Sequence, residues 1–115
     1  MLKQWRLSFL VIIASLIMAF PSHAQSNYPN KPIKLIVGFP PGGGLDFTSR
    51  LIAPYLGEAL GQQVIVENKP GAAGVIALTE LSRAAPDGYT LVVANIGPMV
   101  LAPNMMAKKP YDPLK

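Results

Sequence analysis

The chain has no cysteine and only one histidine in 115 residues. The lack of cysteine excludes disulfides and a lipid-modified N-terminal cysteine. The one histidine, His23, lies in the N-terminal segment described next; without it the chain has neither the usual zinc ligands nor a Ser-His or Cys-His nucleophile. Acid–base chemistry would depend on six carboxylates, and none lies in a pattern that suggests a shared site: Asp46, Glu58, Glu67, Glu80, Asp87 and Asp112. The composition therefore disfavours an enzyme, and we expect no catalytic residue, no cofactor and no metal.

Residues 1–24 have the pattern of a cleaved secretory signal peptide. Lys3 and Arg6 precede an uncharged, mostly apolar run at residues 7–20, and Ala24 ends a small-x-small cleavage site before Gln25. A run of 14 residues is shorter than the roughly 20 needed to span a bilayer. We therefore expect a mature chain that begins at Gln25, lies in the periplasm and is not stably inserted in the membrane.

The charge of the mature chain is mild. Loss of Lys3 and Arg6 lowers the formal net charge from +4 to +2, and the remaining basic residues are scattered without interleaved aromatics. This distribution gives no nucleic-acid footprint. It suits an anionic ligand without requiring one.

The apolar periodicity predicts the order β-α-β-α-β-(α). Strands are expected at residues 33–39, 63–67 and 89–94. Helices are expected from residue 45 or 46 to 60, from 72 or 73 to 84 and at 99–106, with an extended segment at 108–115. This order is typical of an α/β fold with a parallel sheet and helices on both faces. If the strand order is 2-1-3, ligands bind where the loops after the first and third strands meet, at residues 40–46 and 95–98.

The two main helices have predicted inward faces. In the first helix, Pro54 is expected to cause a kink and Gly61 to end the helix. Asp46 is expected to cap free N–H groups and to pair with Arg50. The residues predicted to face inward are Phe47, Leu51, Ile52, Tyr55, Leu56, Ala59 and Leu60 in the first helix, and Val75, Ile76, Leu78 and Leu81 in the second.

A glycine-rich junction joins the first strand to the first helix. The sequence I-K-L-I-V-G-F-P-P-G-G-G-L-D-F-T-S-R, from Ile33, directs backbone N–H groups and a helix N-terminus at one place, which favours an anion. A Walker P-loop is excluded because no Gly-Lys pair follows. A dinucleotide fingerprint starting at Gly42 fails at Phe47, although Glu67 ends the second strand where a ribose-binding acid could lie. A tight turn without any ligand remains the simplest alternative.

Six sequence blocks, read together, carry a family resemblance. They are Y-P-x-K-P-I from Tyr28, I-V-x-F-P-P-G-G from Ile36, L-G-Q from Leu60, V-E-N-K-P-G-A from Val66, A-P-D-G-Y-T from Ala85 and P-Y-D-P-L-K from Pro110. In this order and spacing the chain resembles the Bug family, the extracytoplasmic solute receptors of tripartite tricarboxylate transport systems.

The resemblance implies a type II-like periplasmic binding protein with two α/β lobes that close on a small carboxylate, without cofactor or catalysis, and with membrane transporter subunits as partners. It implies that the loops after the first and third strands hold a ligand carboxylate. The site residues that it implies are Phe39, Pro40, Pro41, Gly42, Gly43, Gly44, Asp46, Asn95, Ile96 and Gly97. Leu45 and Ile96 depart from the family pattern, and Ile96 could favour an apolar moiety on the acid.

Family members are about three times longer than the mature chain, so we expect residues 25–115 to be the N-terminal part of the first lobe, without the second lobe. A site open on one side should bind carboxylates weakly or not at all. Two other classes stay open: an enzyme that uses the glycine loop for a phosphate or nucleotide, and a small secreted interaction module that pairs through an open sheet edge. The sequence does not choose among dicarboxylates, tricarboxylates, amino acids and aromatic acids.

Overall fold

The computed structural model describes residues 27–114, so the predicted signal peptide lies outside the described residues. Within that range, no helix combines the length and apolar character needed to cross a membrane. A 3₁₀ turn at Ala72–Gly74 precedes the second helix, and a π-helical turn at Gly97–Leu101 precedes the third. The regular elements are β1 (Ile33–Val37), α1 (Gly44–Leu60), β2 (Val64–Asn68), α2 (Val75–Arg83), β3 (Thr90–Val93) and α3 (Ala102–Met105).

The three strands form one parallel sheet in the order β2-β1-β3, as the 2-1-3 interpretation required. Central β1 contains the most deeply buried residues of the sheet, and Ile33, Ile36 and Val37 have no exposed surface. Its nearly continuous apolar run reflects burial on both faces. Asn68 contacts α1 through Arg50, whereas Lys34, on the opposite face by strand alternation, contacts α2 through Glu80. The helices therefore cover both faces, as predicted.

Helix α1 begins one residue before the predicted range and continues through Pro54. Gly61 ends it in the left-handed conformation, with φ of 69°. The Gly61 N–H donates to the Glu58 carbonyl and the Gln62 N–H donates to the Gly57 carbonyl. This pair of bonds is a Schellman motif, which confirms the predicted stop.

The predicted inward face of α1 is wrong. Phe47, Leu51 and Tyr55 are 68%, 55% and 69% exposed, and the buried residues of this helix are Asp46, Ser49 and Ala53. The small side chains of Ser49 and Ala53 allow the helix to approach the sheet closely. Periodicity shows that an apolar stripe exists, but the face that meets the strands is the one that carries Asp46, Ser49 and Ala53.

Helix α2 follows its prediction more closely. Val75 and Leu78 are buried and Leu81 packs against them, but Ile76 is 49% exposed, which corrects its predicted inward position. Ala77 is buried in its place. The face of α2 that meets the sheet thus includes a small residue that the hydrophobic pattern ranked low.

The tail after α3 differs from the predicted extended segment. Residues 107–114 form bends and turns rather than a strand. Tyr111 is buried against Val75 and Leu78, and its hydroxyl donates a hydrogen bond to the Pro98 carbonyl. Packing of this ring, and not strand pairing, fixes the course of the tail.

Candidate functional site

The loop after β1 delivers unpaired backbone donors to the carboxyl edge of the sheet. The Gly43 N–H donates to the Pro40 carbonyl at 3.3 Å, and Gly42 has a φ of +84°, a conformation that favours glycine. No side chain caps α1, and within residues 27–114 the N–H groups of Gly44 and Leu45 have no hydrogen-bond partner. The first turn of α1 is therefore open to an anion.

Asp46 holds this loop in place. It is 4% exposed, and its Oδ2 accepts from the Gly42 N–H at 2.8 Å while its Oδ1 accepts from Arg50 Nε at 2.9 Å. The Gly42 N–H, then the Asn68 amide and then Arg50 lower the pKa of Asp46 from 3.8 to about 2. The predicted pair with Arg50 is confirmed. The predicted capping is corrected, because Asp46 binds an N–H before the helix and leaves the first-turn donors free.

Asn68 completes the network, although it lies just beyond the predicted second strand and is not among the predicted site residues. Its Nδ2 donates to Asp46 Oδ1 at 2.9 Å and to the Phe39 carbonyl at 3.1 Å, and its Oδ1 accepts from an Arg50 NH2 group at 2.9 Å. A polar residue at the carboxyl end of a strand beside β1 was the signal that could have identified it. Arg50 uses two of its five N–H donors on Asp46 and Asn68, and the donors that the loop itself presents are backbone N–H groups.

The loop after β3 has its own internal bond. Asn95 Oδ1 accepts from the Gly97 N–H at 3.1 Å, which shapes the turn at the start of the π-helical segment. The Ile96 side chain is 67% exposed. Pro98, directly after the loop, is fully buried. The side-chain oxygen of Asn95 thus serves the loop itself, and Ile96 projects an apolar group at its surface.

The turn before α2 brings the two predicted loops together, and the sequence reasoning did not include it. Gly74 is buried, and a Cβ added to it would lie 2.9 Å from Pro98 Cγ and 3.5 Å from Phe39 Cε2. Ala72 and Ala73 have φ values of 46° and 52°, which are strained for alanine. Since β2 also ends at this edge, its following loop could have been added on topology alone. The edge is therefore built from three loops rather than two.

Glu67, the candidate ribose-binding acid, is held by lysines. Its carboxylate lies 3.2 Å from Lys34 Nζ and 2.8 Å from Lys69 Nζ, and both lysines also pair with Glu80. The hydrogen bond from Lys69, followed by that from Lys34, lowers the pKa of Glu67. These contacts lie on the α2 face of the sheet, so Glu67 has a structural partner set that does not fit a dinucleotide site.

Elsewhere in the described part of the chain, neither a metal cluster nor the groove beside α1 coincides with the predicted site. Among residues 27–114, no three His, Cys, Asp or Glu side chains are grouped so that they could hold a metal ion. A groove of about 820 Å³ lies between α1 and β2, near Ala53 and Val64, but none of the ten predicted site residues lines it. The unpaired N–H groups of Gly44 and Leu45 lie at the carboxyl edge of the sheet.

Comparison with known proteins gives a consistent result. The family model described as "Tripartite tricarboxylate transporter family receptor" matches residues 48–115. Protein BugT of Bordetella pertussis is 40% identical over 106 residues, which are 91% of this chain and 32% of BugT. The chain thus spans about a third of the length of the curated relatives it matches.

Solved structures agree with the fold. A structure described as a periplasmic transporter matches with 46% identity and a TM-score of 0.73, over 76% of this chain and 30% of that one. MatC from Rhodopseudomonas palustris, solved with bound malate, matches with 38% identity and a TM-score of 0.72, over 76% of this chain and 30% of MatC. The partial α/β lobe predicted from the sequence is confirmed by these likenesses.

Proposed function

Because the chain belongs to the tripartite tricarboxylate transporter receptor family, we propose that it acts in a periplasmic receptor that captures a small carboxylate for a transporter of that type. In this proposal residues 1–24 direct export and are removed, and residues 25–115 form the N-terminal part of the first lobe. Transporter subunits in the membrane would receive the ligand-bound protein. The family consists of receptors and not of enzymes, which agrees with a composition that disfavours an enzyme.

The observation that carries the proposal is the open first turn of α1. The N–H groups of Gly44 and Leu45 have no partner among the described residues, and they lie at the positive end of a 17-residue helix. A carboxylate is a suitable acceptor for such donors. Asp46 would then act indirectly, because its carboxylate is already engaged with Gly42 and holds the loop that presents the donors.

The loop after β3 would bound the other side of the ligand. Asn95 and Gly97 shape this loop, and the exposed Ile96 offers it an apolar surface. This arrangement suits an acid that carries an apolar moiety next to its carboxylate. The ten site residues predicted from the sequence are kept as the proposed ligand site, with Asp46 as a positioning residue.

The experiment is a ligand screen on the protein as expressed from its own gene. Thermal shift and titration calorimetry would compare malate, adipate, citrate, an amino acid and benzoate, each against its neutral ester or amide, with inorganic phosphate and AMP as probes of the enzyme alternative. Stabilisation by an acid and not by its neutral analogue is expected. Stabilisation by phosphate or AMP alone would contradict the receptor proposal. For residues 25–115 alone we expect binding that is weak or absent, and micromolar affinity would overturn that expectation.

A pair of variants at Gly44 tests the donors directly. Gly44→Pro removes one N–H at the first position of the helix, where proline is tolerated, and Gly43 already has the extended conformation that precedes proline, with φ of −78° and ψ of 168°. Gly44→Ala is the matched control, since it keeps the N–H and its Cβ meets open space. Gly44→Pro should lose about tenfold in affinity, the value of one hydrogen bond to a charged group, and Gly44→Ala should bind like the wild type. Equal affinities would show that this N–H does not contact the ligand.

A further inference from the structure

Gly74 lies outside both loops of the proposed ligand site, yet residues at the margin of each loop pack against it. The rings of Phe39 and Pro98 both lie within 3.5 Å of the position that a Cβ on Gly74 would take. Phe39 opens the glycine loop, and Pro98 directly follows Gly97. No hydrogen bond joins the two loops to each other among the described residues, so their spacing depends on packing.

The packing around Gly74 has no spare room. A Cβ on Gly74 would lie 2.9 Å from Pro98 Cγ and 3.4 Å from Pro98 Cβ, and a Cβ on Gly38 would lie 3.0 Å from the Gly74 Cα. Pro98 is fully buried, and its carbonyl accepts the hydroxyl of Tyr111. Proline has a rigid ring that cannot rotate away, so a side chain at position 74 must displace either the backbone that carries Pro98 or the backbone of residue 74, whose φ of +93° already favours glycine.

We infer that Gly74 is a positioning residue that sets the distance between the two halves of the carboxylate site. This inference rests on the proposed function, because it concerns the loops that would hold the ligand. Binding groups act well only when they are held within about 0.5 Å of their productive positions. A shift of Pro98 away from position 74 carries Gly97 and Ile96 with it, while the donors of Gly44 and Leu45 stay fixed by Asp46.

The test is a double-mutant cycle in the protein as expressed from its own gene, with carboxylate affinity as the readout. Gly74→Ala should weaken binding about tenfold or more, the effect of one misaligned hydrogen bond to a charged group. Pro98→Ala should also weaken binding, because it removes the ring that packs the loop after β3 against Gly74. In the double variant the added methyl group fills part of the space that the proline ring leaves, so affinity should rise above that of Gly74→Ala, while the backbone strain of alanine at a φ of +93° is the same in both variants.

Two matched controls separate positioning from general destabilisation. Gly61→Ala introduces alanine at a positive φ of 69° in open space, at the far end of α1, and should lower stability without changing affinity. Pro103→Ala removes another buried proline beyond the site and should likewise leave affinity unchanged. If Gly74→Ala does not fold, the carboxylate affinities of Pro98→Ala and Pro103→Ala are compared instead. A loss in Pro98→Ala alone supports the inference, and equal affinities contradict it.

The outcomes are distinct. If the wild-type protein binds no carboxylate, the proposed function fails. If the wild type binds and either Gly74→Ala or Pro98→Ala retains its affinity, the proposed function stands and the inference about Gly74 is wrong. Weakened single variants without recovery in the double variant would also overturn it. Amide NMR shifts give a readout without ligand: Gly74→Ala should move the signals of Gly97 and Ile96, and changes confined to the neighbours of residue 74 would contradict the inference.

Discussion

Replacement of Asn68 by alanine should uncouple the glycine loop from the sheet. Asn68 makes three hydrogen bonds, to Asp46, to the Phe39 carbonyl and from Arg50, at distances of 2.9, 3.1 and 2.9 Å. All three connect β2 to the segment that presents the proposed donors. The variant removes these bonds at once and leaves the Phe39 carbonyl and one oxygen of Asp46 with fewer partners.

The expected loss follows from the number and exposure of these bonds. A net value of about 1 kcal/mol for each hydrogen bond, with the bond to half-exposed Arg50 discounted for solvent, gives a loss of about 2 to 3 kcal/mol in the free energy of unfolding. Carboxylate affinity should fall as well, because the loop that carries Gly44 is no longer held. The pKa of Asp46 should rise, since Asn68 is the second-largest cause of its lowering.

Urea unfolding of the wild-type and variant proteins measures the loss, and NMR titration follows the carboxyl group of Asp46. Asn104→Ala is the matched control: its Nδ2 makes one exposed bond, to the Val100 carbonyl at 2.6 Å. Because alanine is the better helix former, the control should change stability by less than about 0.5 kcal/mol. If Asn68→Ala and Asn104→Ala have the same stability, the network does not tie the loop to the sheet and the reasoning fails.

Three further predictions concern pH, a helix end and an ion-pair cluster. The pKa of Asp46 is lowered from 3.8 to about 2, so its contribution to stability is present above the higher value and is lost as the pH falls between the two. Asp46→Asn should make the free energy of unfolding less dependent on pH in that range, and a pH dependence identical to that of the wild type would contradict this. Gly61→Ala should cost about 1 kcal/mol, because alanine resists the left-handed conformation; urea unfolding measures it, and an unchanged midpoint would be inconsistent with the observed φ. Glu80→Gln breaks contacts with Lys34 and Lys69 that are partly exposed, so it should cost less than about 0.5 kcal/mol at low salt and less still at high salt; a salt-independent loss above that value would show a stronger pairing than the geometry supports.

The element order could be predicted from the sequence because its signals are local. Pro-Pro-Gly and Asn-Lys-Pro-Gly mark where the first two strands end, and Pro-Asp-Gly marks the turn before the third. The strand ends differ from prediction by one or two residues, as at Val37. The inward face of α1 could not be obtained in the same way. Phe47 and Tyr55 form a clear stripe, but the sequence does not say whether the stripe meets this sheet.

The candidate site could be predicted only where its signals are local in the sequence. The residues of the glycine loop are contiguous, so their composition alone indicates close backbone approach by a ligand. Asn68 and Gly74 act through contacts with residues far away in the chain, with Phe39 in both cases. Such contacts arise only when three strands end at one edge. Asn68 is an ordinary turn residue by composition, and its contacts alone make it part of the loop's support.

The central position of β1 has a consequence for the order of assembly during synthesis. β1 precedes both of its partners in the chain, and its pairings of Ile33 with Val64 and of Lys34 with Thr90 are separated by long stretches of sequence. Parallel pairings of this kind form slowly, because a long loop must close before any contact compensates for it. Until β3 is available to pair, the central strand has at least one unpaired edge, and such edges promote aggregation. An unfolded chain therefore exposes an edge of β1 until both β2 and β3 can pair with it.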